Sequence, residues 1–483
     1  VPDGRHSELR LGIGAERINP PLGVPLPIAY TGGGEPIVVK GRHDDCWARA
    51  LVLEQCDTRL AVVSVDLCTM RNDQYQDIVD RIVERCGIPD ACVSIACTHN
   101  HSNAPLLEPF GTPPSPWQET LNDLIVSAVY QACQDLQPVA RIRHGTAEFG
   151  KVAYNRRVVL PEAVCMLIGA EPRWEGILEQ LAERLGTSRE QLGAPSGPVH
   201  PQGIVDNTLR LVVFEGGTGK TLASIVSAAC HPVTHSLADG YTCADYPGQL
   251  VALAEQELGG MALFLQGCSG DVRTRYREPT YAEVQRVGRE FGSALLAAAS
   301  NLCEVEGQPS IDTMKREIEL PLKPYSSNEQ QRARLTELET ELEDYPKNPV
   351  SSAEEIRERW SVSHEHASLR YQMRWSDLEI DQADLQRERV AATLQAVRIG
   401  NILVLTSPAE VFAETGISLS AWAEEQGWDG SIIASCTNGY INYIPPQAEA
   451  ERGGFEPSCT SLAPGSCEQM VATLKTLGQQ VKV

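Results

Sequence analysis

The chain has 483 residues, of which 42% are hydrophobic and 22% charged, the balance of a soluble globular protein. That length can bury a large core and allows two to four domains or one elaborated α/β domain. The formal net charge is −23, and so acidic a surface repels phosphate backbones, which excludes nucleic acid as a partner.

The opening stretch "VPDGRHSELRLG" lacks the apolar centre of a leader peptide, and no later apolar run approaches the length of a transmembrane segment. The chain starts at Val1, so a leader removed beforehand would make it secreted. The apolar run 59–67, "RLAVVSVDL", predicts a buried strand. Residues 73–87 predict a helix, with Ile78, Val79, Ile82 and Val83 on one stripe and Gly87 at its stop. Residues 91–97, "ACVSIAC", predict a second strand. Strand, helix, strand is a βαβ unit, which makes the two strands parallel and sets His99 just past the second one. Ligand sites of open α/β sheets collect at that edge.

The same placement recurs downstream. The strand predicted at 221–230 delivers His231, and a helix at 248–258 leads to a strand at 261–265 and the loop "QGCSGDV". The strand in "NILVLTSPAE" (401–410) ends at Glu410, where a helical pattern begins. The strand at 431–435 runs into "CTNGYINYIPP". Two segments read as insertions: 160–205, with the helical stretch "WEGILEQLAERLG", and 325–390, charge-rich at helical spacing with "YPKNP" between two helices. The second is expected to be a solvated hairpin acting as a lid or oligomer contact. No internal repeat or low-complexity tract is evident. The chain is read as α/β, a layered mixed β-sheet core flanked by helices, with a helical insertion near 325–390. A single elaborated catalytic domain over 1–483 is expected.

Fifteen cysteines, an odd number, include no C-x-x-C pair, so a thiolate zinc site has no local support. Cys92, Cys97 and Cys230 sit in apolar strands as small hydrophobes. A reducing, cytoplasmic compartment is expected.

Among only ten histidines, His99 and His101 stand two apart in "CTHNHSNAP". On extended backbone both rings share a face, so either a metal site or an ordinary polar loop fits. His231 alone reads as a core histidine, Glu410 as a helix-opening carboxylate, and Tyr440 and Tyr443 as packing aromatics. Taken together, two histidines and a carboxylate suit Zn²⁺, with one position left for water or substrate.

The order of motifs resembles the neutral/alkaline (non-lysosomal) ceramidase family. The matching stretches are "GIGAERINPPLGVPL" (12–26), "GRHDDCWARALVLE" (41–54), "CTHNHSNAP" (97–105), "YNRR" (154–157), "CHPVTH" (230–235), "ADYPG" (244–248), "LQGCSGDV" (265–272), "SPAEVFAETG" (407–416) and "NGYINYIPP" (438–446). The likeness spans nearly the whole chain outside the two insertions, and stops where family members often continue into a C-terminal β-sandwich. It implies zinc ligands at His99, His231, Glu410 and Tyr443. It implies a catalytic or substrate contact at His101, and a substrate-side arginine at Arg156. Two positions depart from the family pattern. Arg273 stands where its ceramidases carry serine, and Phe455 where they carry a tyrosine facing the tetrahedral intermediate.

The resulting expectation is a zinc-dependent hydrolase cleaving an amide or related acyl bond in a small-molecule substrate smaller and more polar than ceramide. A homo-oligomer is allowed. Arg273, Phe455, Asp245 and Asp271 are the expected substrate-side residues, the two aspartates equally readable as turn carboxylates satisfying backbone N–H groups. Arg273 is expected to face solvent, to pair with Asp271 or Asp245, or to meet an anionic or hydroxyl-rich substrate. Two alternatives stand: a metal-dependent lyase or hydrolase on a polar or glycosidic natural product, and a zinc-containing binding protein without turnover.

Overall fold

In a computed structural model the described residues are 8–26, 37–103, 116–159, 164–166, 203–235, 239–307, 309–324, 328–348 and 388–481, with short pieces at 182–188 and 350–369. Three mixed sheets carry the core. The first orders its strands Val93–Cys97, Thr58–Val65, Trp47–Gln55, Arg10–Arg17, Gln137–Pro138. The second runs Met261–Gln266, Thr221–Ala228, Thr208–Glu215, Arg141–Glu148, Cys303–Glu304. The third runs Ile311–Pro321, Arg389–Ile399, Ile402–Thr406, Gly430–Ala434.

Each sheet is built in the same way. Three antiparallel strands come first, and a helix then carries the chain over to a parallel edge strand. The crossover helices are Asn72–Cys86, Asp245–Leu258 and Ala413–Glu425. The parallel pairs they create are 58–65 with 93–97, 221–228 with 261–266, and 402–406 with 430–434. A further helix closes each unit: Pro116–Ala132, Tyr281–Ser300 and Ser466–Gln480. The fold is thus a threefold succession of one βββαβα plan, strand, strand, strand, helix, strand, helix, where the sequence shows no repeat. A side chain at Gly12 or Gly14 would run into the main chain of the helix 116–132. One at Gly145, in the matching strand of the second unit, would run into that of 281–300. The insertion at 160–205 and the helical insertion near 325–390 fall at one topological position, between the first and second strands of their units.

Local chemistry explains the βαβ pieces. The helix 72–86 buries Ile78, Val79 and Ile82, and Gly87 closes it at φ 65° with its N–H on the Val83 carbonyl. The three sheets meet in one shared apolar core that includes Leu51 and Val62, Phe214 and Ile225, and Val397 and Ile432. Of the second insertion, the helix Asn328–Asp344 is followed by a turn at Tyr345–Lys347 and helical residues beyond it. Leu338, Tyr345 and Val362 bury together, and Arg334 reaches Glu365. Its end differs from the helical expectation, because residues 389 and 390 already belong to the strand Arg389–Ile399. The predicted helix "WEGILEQLAERLG" lies almost wholly outside the described residues, as do 370–387. Among the described residues no helix is long and apolar enough to cross a membrane, and the described cysteines are free thiols.

Candidate metal centre

The carboxyl ends of the three parallel strand pairs converge, and main-chain hydrogen bonds tie them together. Cys97 N–H reaches the Cys436 carbonyl, Ser435 N–H the Gln266 carbonyl, Gly270 N–H the Val411 carbonyl, and Glu410 N–H the Asn442 carbonyl. Gly270 is required for the closeness, because a Cβ there would lie 2.7 Å from the Glu410 carbonyl oxygen. Several non-glycine residues around this junction have left-handed backbones: His99 at φ 62°, Asp245 at 49°, Cys436 at 51°, Asn438 at 68° and Asn442 at 70°. Such conformations cost about 1–3 kcal/mol each and persist where surrounding structure enforces them.

Within this junction His99, His231 and Glu410 are all buried, with ligand-type atoms within 4.8 Å of one another. The Nε2 atoms of His99 and His231 lie 3.2 and 2.9 Å from the same Glu410 Oε2. Both Nδ1 atoms are committed to main-chain carbonyls, His99 to Cys68 at 2.8 Å and His231 to Ser269 at 2.5 Å. Each ring therefore presents Nε2 inward with its tautomer fixed, the outer-shell arrangement that orients metal-binding imidazoles. Glu410 and Tyr443 are directly paired across two short parallel strands, so both side chains leave the same face.

The charge states of Glu410 and His231 suit a cation. Burial opposes ionisation of Glu410, but His99 and His231 outweigh it and hold the carboxyl well below its ordinary range. Burial, then the Arg156 cation, brings His231 down to about 4. Burial, then His99 and His231, lowers His101 well below its ordinary value. His99 differs: burial opposes its charge, but Cys436 and Glu410 outweigh it and hold the ring well above its ordinary value. A bound ion would displace that proton to give the neutral imidazoles and ionised carboxylate that Zn²⁺ takes. Burial raises the Tyr443 phenol while Arg156 opposes it, with Nη2 donating to the phenol oxygen at 3.0 Å. The residues present fit a divalent ion with mixed nitrogen and oxygen donors. Cys68, His99 and His101 form another donor group, but it shares His99 and lacks a carboxylate.

The other sequence-predicted residues fall around this trio. His101 is partly buried, its Nε2 3.3 Å from His99 Nε2. Arg156 places its guanidinium 5.5 Å from the Tyr443 ring centre and 5.4 Å from that of Phe455, so Phe455 is beside the site. Arg273 is buried on the strand Val272–Thr274, bridged to His231. Asp245 accepts from the N–H groups of Thr234, His235 and Tyr246. Asp271 accepts from Ala413 N–H and the Asn155 amide, and burial raises it to about 6. Both aspartates are thus engaged in holding loops. Neither forms the ion pair with Arg273 that was one of its expected fates.

Sequence reasoning missed two residues. Tyr440, read as packing, donates its hydroxyl to Glu410 Oε1 at 2.6 Å and fixes that carboxylate. Glu456, wholly buried, accepts from Arg156 Nε at 2.8 Å and Arg157 Nη1 at 2.6 Å. The adjacent pair of arginines in "YNRR" was the available signal, since two buried guanidiniums demand a carboxylate.

No family model and no curated protein matches the chain in sequence. Its fold does match solved structures. A neutral ceramidase from Pseudomonas aeruginosa superposes with a TM-score of 0.68 at 17% identity, over 98% of this chain and 74% of that one. A ceramidase complexed with C2 gives 0.68 at 17% identity, over 99% and 75%.

Proposed function

We propose, from a fold shared with neutral ceramidases, that this chain is a zinc-dependent hydrolase that cleaves an amide or related acyl bond in a substrate smaller and more polar than ceramide. The observation that carries the reading is the meeting of His99 Nε2 and His231 Nε2 on one Glu410 oxygen, with both Nδ1 atoms held by main-chain carbonyls. His99, His231, Glu410 and Tyr443 would hold the ion. When bound, zinc supplies a water acidified to a pKa near ~7 and a Lewis acid for a carbonyl oxygen.

This chain's own residues do the rest. His101, neutral and beside His99, takes a proton during attack and returns it to the departing nitrogen. Arg156 spends Nε on Glu456 and Nη2 on the Gly270 carbonyl and Tyr443, which fixes its plane and leaves Nη1 for a substrate oxygen. Phe455 adds an apolar wall where a hydroxyl would favour a more polar contact. The net reaction is amide plus water giving a carboxylic acid and an amine.

The test is metal analysis of the purified protein together with turnover on ceramide, short N-acyl compounds, esters and glycosides, before and after chelation. About one zinc per chain and chelation-sensitive cleavage of short N-acyl compounds are expected. Metal-free protein with undiminished turnover would overturn the reading, and efficient ceramide cleavage would overturn its substrate half.

A further inference from the structure

Four arginines are buried among the described residues: Arg156, Arg157, Arg273 and Arg359. Three of them face a carboxylate. Arg156 and Arg157 share Glu456, and Arg359 pairs with Glu355. Arg273, only 6% exposed, has no carboxylate within ion-pair distance among the described residues. Among the described residues its side chain makes one hydrogen bond, from Nη2 to the Tyr276 hydroxyl at 2.9 Å, and its buried Nε has no partner. A guanidinium taken out of water without a counter-ion is costly, and folds seldom leave one so.

Its backbone position says which way it faces. Arg273 is register partner to Tyr154 in an antiparallel pair and bridges His231 on the other side. Directly paired residues project to the same face of a sheet. Arg273 therefore shares the face of His231, a member of the candidate metal centre.

We infer that Arg273 is a substrate-binding residue that receives a carboxylate, so that the substrate is a short N-acyl compound carrying a free carboxylate, such as an N-acyl amino acid. This deepens the hydrolase reading and rests on it for the scissile bond. A planar carboxylate matches the guanidinium fork, and the anion supplies the counter-charge that no described residue gives. One guanidinium and one phenol answer a single negative charge, whereas a phosphate dianion would remain half neutralised.

The experiment is calorimetric titration of the zinc-loaded protein with paired ligands: a panel of N-acetyl amino acids and the carboxamides of the same skeletons, with inorganic phosphate as a third arm. The wild type should bind its preferred carboxylate at least about 10-fold tighter than the matching carboxamide, as expected for charge-assisted hydrogen bonds. Arg273→Met should erase that ratio, and Arg273→Lys should restore part of it. The Arg273→Met protein should melt no lower than the wild type, because no ion pair is lost. Equal affinity for the two members of every pair, no binding of any carboxylate, tighter binding of phosphate, or a preference that survives Arg273→Met would each overturn the inference. If the variant fails to fold, the wild-type ratio still decides. Turnover is read separately. A carboxylate preference without hydrolysis would sink the hydrolase reading alone, and hydrolysis without the preference would sink this one alone.

Discussion

Among the described residues there are two places where a pair of imidazoles meets one carboxylate oxygen, and they differ in almost every other respect. In the first, His99 and His231 meet Glu410 in the buried junction of the three sheets. In the second, His43 and His235 meet Asp239 Oδ2 at 3.4 and 3.1 Å, with Asp239 46% exposed. Residue type alone would rank them equal, and both can hold an ion by donor count. Burial separates them. In the interior the carboxylate and rings have no water to fall back on, so each must be oriented by neighbours: Tyr440 on Glu410, and main-chain carbonyls on both Nδ1 atoms. At the surface, His43 is held by stacking on Tyr281 at 4.6 Å and Asp239 by Tyr241 N–H, while water screens the charges. Two donor sets of like chemistry thus differ in setting, and only one is dry and aimed.

The largest expected effect breaks the comparison outright. His231→Ala should lose zinc and turnover together, whereas His43→Ala should keep both, as read by metal analysis and rate on the same preparations. Equal metal loss in the two variants would show that burial does not distinguish them. Within the buried group, His101→Ala should retain zinc yet lose about two to four orders of magnitude in rate, the usual cost of removing one general acid or base. Zinc loss as deep as that of His99→Ala would make His101 a ligand instead.

The same contrast holds for stability. Glu456→Gln leaves the buried Arg156 without its counter-charge and Arg157 with Glu449 alone, and should cost about 3–5 kcal/mol in denaturant unfolding. The smallest effect is at the surface. Asp239→Asn should cost only about 0.2–1 kcal/mol, the range of exposed pairs. Partial burial works against ionisation of Asp239, but the Tyr241 N–H and the two histidines outweigh it and hold it below its ordinary 3.8. Its contribution is therefore complete above that value and is lost as pH falls through the lower folded value. The gap between wild type and Asp239→Asn should close on acidification. A gap that widens toward acid would mean that the carboxylate is not stabilised by its neighbours.

Much of the centre was legible in the sequence because strands announce their own ends. Apolar runs stopping at His99, His231 and Glu410 placed those residues at one edge before any contact was known. What stayed hidden has no period. Tyr440 reaching Glu410, and Glu456 reaching back 300 residues to Arg156, are contacts between segments that no local pattern links. Arg273 was visible as a cation, but that no carboxylate among the described residues pairs with it emerges only once their side chains are placed. The threefold plan was invisible for a related reason. It repeats topology without repeating residues, and its units are stretched by insertions of unequal length at the same joint.

That threefold plan has a consequence for assembly. The first unit supplies His99, the second His231 and the third Glu410 and Tyr443, the last two units contributing groups 179 residues apart. An ion held there would act as a cross-link joining all three units at one point, closing long loops whose entropy the unfolded chain otherwise keeps. The centre can form only after the three sheets have docked. It would then work as a latch on the finished architecture, with resistance to unfolding rising with free metal concentration.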